Sequence, residues 1–446
     1  MRGDEIETTV DPGYTLALTG DLIHSRRLAP TLAGDPAFAA VVERLRAADA
    51  TFGNLEIAFA ERDDPQAWVW WAPEDWSIGA EPSVIDDLRA LGFDLVGRAN
   101  NHAMDRGPAG MRTTGRALDA AQIVHAGAGE DLSRARAPRF VETPRGRTGL
   151  VSVTTSPVPT DVAPAMDAFA GLAPRPGVHA LGLTPIVTVP QAAHAALQAV
   201  HDTMTDAMGE WMARQDGLHL FRTRFEIGEG VSVRYELDSD DLEGVLRAVR
   251  QAKQQGDAAV LAIHAHQGDH DPATPMPYLR DLAHAAVDAG ADVVAISGPH
   301  VLAPIEFHAE RPIFYGLGNF IWSDVGGPMP AYFWHKTRTV LGDAAADPAM
   351  MTEADLLTTL NSDAFDDPWV FRAVLAEVVF GAPMPEVRLH PVDLGQELPV
   401  SRRGVPRAAE PHVAREILER AAELSLPFGV AVEPNEAGVG VAKPAG

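Results

Sequence analysis

Short apolar runs alternate with amphipathic stretches along most of this chain, a pattern that neither a helical bundle nor an all-β sandwich satisfies. Runs such as Tyr14–Thr19, Phe93–Val96, Ile123–His125 and Gly149–Thr154 read as strands. So do Val231–Leu237, Ala258–His264, Val293–Ile296, Pro304–His308 and Ile313–Leu317. Between them, Pro36–Ala48, Ser83–Leu91, Gly110–Gln122, Asp241–Gln254 and Tyr278–Ala289 carry helical periodicity. Ala373–Phe380 and Glu386–Leu394, separated by Gly381, Pro383 and Pro385, predict a hairpin, and Pro411–Leu424 a late helix. The expected class is α/β, with two packed sheets flanked by helices.

The alternation weakens at 156–230 and 328–366, which read as insertions in one domain spanning 14–400. Residues 1–13 read as a flexible N-terminus, and 401–446 as a C-terminal helix and tail with a frayed end from Glu436. With 36 Lys and Arg against 62 Asp and Glu, the net charge of -26 repels phosphate backbones and anionic membrane surfaces. No nucleic-acid or membrane partner is expected. No apolar run approaches the roughly 18 residues of a membrane span, so the expected location is the cytoplasm. The chain has no Cys, so a metal would have to be held by His, carboxylate, amide or water.

Polar residues gather just after successive strands. Gly20 and Asp21, with His24, follow the first; Asn54 and Glu56 follow Thr51 and Phe52. Asn100, Asn101, His102 and Asp105 follow Phe93–Val96, His264 and His266 end Ala258–His264, and Ser297 and His300 follow Val293–Ile296. In open α/β sheets, ligands bind outside the carboxyl ends of the strands, so these loops should converge on one crevice. His264 and His266 share a face if the strand continues that far. His125, His201, His284 and His308 lack such neighbours and read as ordinary structural histidines. The run of Trp68, Trp70, Trp71 and Trp76 is either a hairpin packed on the core or an aromatic wall for an apolar substrate group.

Thr19-Gly20-Asp21, Asn54-Leu55-Glu56, Ala99-Asn100-Asn101-His102 with Asp105, Gly298-Pro299-His300 and Leu317-Gly318-Asn319-Phe320 form an ordered set. Together they resemble the bacterial capsule-synthesis or poly-γ-glutamate-synthesis family, which has a calcineurin-like metallophosphoesterase fold. The resemblance implies a four-layer α/β/β/α sandwich of two mixed sheets flanked by helices, with a metal-bearing cleft at one end. Carried over by position, Asp21, Glu56, Asn101 and His102 fall on the first metal-site motifs, and His264 and His300 on the later ones. Two features depart from the pattern: two residues separate Asp21 from His24, and Ser297 stands where many relatives have His.

These departures imply one divalent cation rather than two, held by Asp21, Glu56, Asn101 and His266. Ca is favoured by the hard oxygen donors, with Mn or Mg as alternatives. His102, Asp105, His264, His300 and Asp21 are the expected catalytic residues, with Asp269 a further carboxylate that could orient an imidazole. His24, Asn100, Trp70, Trp71, Ser297 and Asn319 are expected to contact the substrate. The chain is also similar to a soluble branch of the family acting in lasso-peptide biosynthesis. That similarity implies a peptide substrate and a metal-dependent epimerase that inverts a Cα centre, that of the C-terminal residue of a precursor, through His and Asp acid/base groups. The alternatives are a protein of capsule or poly-γ-glutamate biosynthesis, or a metal-dependent hydrolase of phosphoester or amide bonds.

Overall fold

The computed structural model describes residues 9–28, 34–61, 64–66, 78–156, 165–208, 217–268, 271–323, 351–352, 355, 366–381, 384–399 and 401–445. The first apolar run forms the strand Thr15–His24, which runs five residues past Thr19 and is buried from Leu16 to His24. On one side it pairs in parallel with Ala50–Leu55, which continues to Leu95–Gly97 and Val124–Ala126. On the other, its first half pairs antiparallel with Arg372–Val379 and its second half in parallel with Asn319–Ser323. The anticipated hairpin partner Glu386–Asp393 extends this first sheet outward.

The second sheet has the order Ile305–His308, Arg311–Phe314, Val293–Ser297, Ala258–His264, Gly146–Thr154, Arg139–Thr143. Its inner pairings are parallel and its two outer ones antiparallel, so both large sheets are mixed. Alternation along each strand sends neighbours to opposite faces. Leu150, Val260, Val293 and Phe314 thus meet Leu16, Leu18, Phe52 and Leu95 between the sheets. Val151, Leu261, Ile263 and Val294 instead face the helices Ser239–Gln255 and Pro277–Asp288 through Val245, Val249, Leu282 and Ala286. The outer face of the first sheet is covered by Pro36–Ala47, Ile85–Leu91 and Gly107–Ala120 through Val41, Leu45, Leu88 and Leu118. The result is the anticipated four-layer α/β/β/α sandwich.

Two local expectations are corrected. Ser232–Leu237 does not rejoin a main sheet. It pairs with Leu183–Val189 in a separate four-stranded sheet that also holds Thr223–Ile227 and Leu218–Leu220, beside the helix Gln191–Met208. The tail is not frayed: Gly440–Pro444 pairs with Val430–Pro434 and with Glu386–Asp393, burying Val432 and Ala442. The two strands turn through Asn435, whose Oδ1 accepts from the amides of Ala437 and Val439. Finally, almost all of the stretch 328–366 lies outside the described residues, as do Trp68, Trp70, Trp71, Trp76 and Asp269.

Close backbone approach fixes the strand ends that carry the polar residues. A Cβ at Gly20 would stand 1.7 Å from the carbonyl oxygen of Gly318, whose chain leads into Asn319–Ser323. Because that neighbour is backbone, no rotamer relieves the clash. Gly20→Ala is expected to exceed the roughly 1–3 kcal/mol of ordinary overpacking, and urea denaturation measures it. An unchanged midpoint would show that the two segments can separate.

Candidate metal centre

Register brings the first group of side chains together. Asp21 lies opposite Asn54 on one neighbouring strand and opposite Asn319 on the other, at the irregularity where the pairing of Thr15–His24 shifts. Asn54 Nδ2 donates to Asp21 Oδ1 at 2.8 Å, and Asp21 Oδ2 is 3.3 Å from His300 Nδ1. On the second sheet, His264 lies opposite Ser297, whose Oγ is 2.9 Å from His264 Nδ1. The other ring nitrogen, Nε2, is 2.8 Å from Asn101 Oδ1 and 3.1 Å from His266 Nε2. Ser297 Oγ and Asn54 Nδ2, the latter 3.2 Å away, both address Nδ1, which fixes the ring with Nε2 turned toward Asn101 and His266.

Glu56 sits where the two sheets' contributions meet. Its Oε1 is 3.5 Å from His264 Nε2, 3.8 Å from His300 Nε2 and 3.9 Å from His266 Nε2. The side chain is fully buried, yet neither carboxylate oxygen has a hydrogen-bond partner. A buried carboxylate without compensation is costly, and a cation is the compensation its surroundings are shaped for. Among the described residues, two groups of donors each lie within 4.8 Å of one another, namely Asp21, Glu56, His300 and Glu56, His264, His266. Glu56 belongs to both. The residues therefore fit divalent cations, and imidazole nitrogens with carboxylate oxygens are a donor set that suits Mn or Zn better than Ca.

The electrostatics follow the same geometry. Burial pushes the Glu56 carboxyl well above its ordinary value, and the neighbouring Asp21 charge adds to that. Burial alone would also raise Asp21, but the hydrogen bond and positive charge of His300 hold it well below the usual carboxylate range. His264 is lowered by burial and by His266, so it stays neutral. Burial works against a charged His300, but Glu56 and Asp21 outweigh it and lift the imidazole to about 10.

His102 and Asp105 form a second feature of the cleft. His102 Nδ1 is 2.8 Å from Asp105 Oδ2, which also accepts the backbone amide of Ile78. Asp105 is buried, which raises its carboxyl despite His102, and its charge reaches Glu56. The pair is the arrangement that fixes an imidazole's tautomer and leaves Nε2 to carry a proton.

Several residues expected to face a substrate are committed elsewhere. Asn100 is buried; its Nδ2 donates to Leu55 O at 2.8 Å, and its Oδ1 accepts from the His102 amide. Asn319 is also buried; its Nδ2 donates to the carbonyls of His300 and Val370, while its Oδ1 lies 3.0 Å from His300 Nδ1. Ser297 orients His264. These three position the loops. His24 lies apart from the cleft: it is buried at the far end of its strand, with Nε2 3.4 Å from Asp87 Oδ2. Asn54 joins Asp21, Asn100 and His264, a role that the Asn-Leu-Glu motif signalled without assigning. Trp322 was also missed; its ring lies 5.3 Å from that of His300.

Comparison with known proteins finds relatives along most of the chain. Residues 15–324 match the model of the family described as bacterial capsule synthesis protein PGA_cap. The chain is 36% identical to the uncharacterized protein y4sH of Sinorhizobium fredii, over 95% of this chain and 92% of that one. It is 24% identical to the PGA biosynthesis protein CapA of Bacillus subtilis, over 75% of this chain and 68% of the relative. It is 22% identical to the capsule biosynthesis protein CapA of Bacillus anthracis, over 69% and 59%. Among the described residues, no helix is long and apolar enough to cross a membrane.

Proposed function

Because this chain belongs to the bacterial capsule synthesis protein family, we propose that its cleft is a divalent-metal centre that hydrolyses amide bonds of a glutamyl or peptide chain in capsule-type biosynthesis. The observation carrying this reading is Glu56, a buried carboxylate with no hydrogen-bond partner, shared by two donor groups. The presence of Ser297 suggested a depleted second position; His266 supplies the donor instead, which favours two cations and hydrolysis over the single-metal epimerase. Asp21, Glu56, Asn101, His264, His266 and His300 would hold the ions. Mn is the ion we favour, over the Ca expected from oxygen donors alone. When bound, such ions polarise an acyl oxygen and make water nucleophilic at neutral pH.

The chain's own residues supply the rest. Asp105 orients His102, whose Nε2 delivers a proton to the departing amide nitrogen, a contribution of about 10²–10⁴ in rate. Ser297 and Asn54 hold His264, and Asn319 holds His300, so the donors are set before substrate arrives. With a chain charge of -26, bound cations would offset the repulsion that a substrate carboxylate meets.

Peptide epimerisation at Cα is the second reading. It is favoured by one observation, that two imidazole–carboxylate pairs, His102 with Asp105 and His300 with Asp21, stand on different loops. Incubating the Mn-supplemented protein with α- and γ-linked glutamyl peptides, in H₂¹⁸O and separately in D₂O, separates the two. Shorter products with ¹⁸O in a new carboxylate are expected. An intact peptide carrying one deuteron at an inverted Cα would instead establish epimerisation, and no change in either solvent would overturn both.

A further inference from the structure

His266 lies two residues beyond the end of Ala258–His264, so pairing within the sheet does not hold it. Its neighbour Gln267 is bonded on several sides. Gln267 Oε1 accepts from Tyr278 Oη at 2.9 Å and from the hydroxyls of Thr155 and Ser156 at 3.0 Å each. Its Nε2 donates to the carbonyl of Thr155 at 3.1 Å. Ser156 Oγ, in turn, accepts the backbone amide of His266 at 2.9 Å. Thr155 N donates to His264 O at 3.0 Å, which ties the same segment to the other imidazole of the group.

We infer that Gln267 is a positioning residue that fixes His266 toward Glu56 through Ser156, and thereby sets the affinity of the cation held by Glu56, His264 and His266. The inference rests on the metal-centre reading above and deepens it. One carboxamide oxygen collecting three hydroxyl donors is a fixed anchor: each hydroxyl it accepts from comes from a different residue, and two of them stand where the segment 156–230 begins. Tyr278 brings in the helix Pro277–Asp288, in whose first turn it lies, and its ring packs edge-on against Tyr235 of the accessory sheet at 5.5 Å. The loop after His264 is therefore held between a strand end, a helix start and the accessory sheet. The donors on the other side, Asp21 and His300, are held by Asn54 and Asn319, of which Asn54 also reaches His264 Nδ1 at 3.2 Å. The Gln267–Ser156 support is thus separate from that of Asp21 and His300, while Glu56 and Asn54 serve both sides.

That separation makes the role testable without a substrate. Outer hydrogen-bond partners of metal-binding side chains typically account for about 10–100-fold in affinity. Mn²⁺ titrations of the full chain, followed by calorimetry and by the paramagnetic resonance of free Mn²⁺, should show two events in the wild type. In Gln267→Leu one event is expected to weaken by about 10–100-fold while the other is unchanged, and Gln267→Glu, which keeps an acceptor, should recover most of the loss. Tyr278→Phe, which removes one donor and keeps the ring, should shift the same event in the same direction and serves if the Leu variant does not fold. Wild-type events left in place by both variants would overturn the positioning role. Equal weakening of both events would overturn it too. A wild type that binds no Mn²⁺ would instead overturn the metal centre itself.

Discussion

Glu56→Gln is expected to abolish the stabilisation that Mn²⁺ confers on the wild-type protein. At a free concentration 100 times the dissociation constant, a cation that binds only the folded chain adds about 2.7 kcal/mol per site. Glu56 contributes to both donor groups, so its loss should remove essentially all of that gain, measured as the metal-dependent shift in the midpoint of thermal unfolding. Without metal the sign differs. The wild-type carboxyl is fully buried and has no hydrogen-bond partner, so the neutral amide should leave the metal-free protein as stable or more so. The carboxyl raised by burial must lose its proton to accept a cation, so binding should release protons and strengthen as pH rises from the acid side. Calorimetry in buffers of different ionisation enthalpy reads that release. A Glu56→Gln protein still stabilised by Mn²⁺ to the wild-type extent would remove the central support for the metal-dependent reading.

The site was largely legible because its residues follow strand ends, and parallel strands deliver their ends to one edge. Asp21, Asn54, Asn101, His264 and His300 lie on or shortly after five strands of the two large sheets, yet meet within hydrogen-bonding range. What sequence could not supply was which member of a cluster faces the cleft. Asn100 and Asn101 are adjacent and identical, but the first bonds backward to Leu55 and the second forward to His264. His24 misled because its strand runs past the apolar segment, carrying it three residues beyond Asp21 and onto Asp87. The tail misled in the opposite way: Gly and Pro near the end masked the alternation of Val430, Val432 and Ala442, which a third strand, Glu386–Asp393, buries. Both errors are of element length, set by tertiary partners rather than by local pattern.

His102→Ala and His24→Ala should separate the chemistry from the scaffold. His24 ends one strand of the first sheet and His102 follows another, and sequence alone suggested that both served the site. Replacing His102 removes the imidazole oriented by Asp105 at 2.8 Å, and kcat should fall by about 10²–10⁴ while both Mn²⁺ events remain, since His102 belongs to neither donor group. A substrate with a better leaving group should recover part of the loss, because the missing proton matters most when the departing group is basic. Replacing His24 empties a fully buried position beside Asp87, whose carboxylate also takes the backbone amide of Leu28 and the side chain of Arg27. That change should lower the midpoint of urea denaturation, with kcat per folded molecule unchanged. If His102→Ala instead displaced Mn²⁺ and left the rate per bound metal intact, the imidazole would be a donor rather than the proton carrier. The hydrolytic reading would then lose its acid, because the other imidazoles around Glu56, those of His264, His266 and His300, all hold the ions in it.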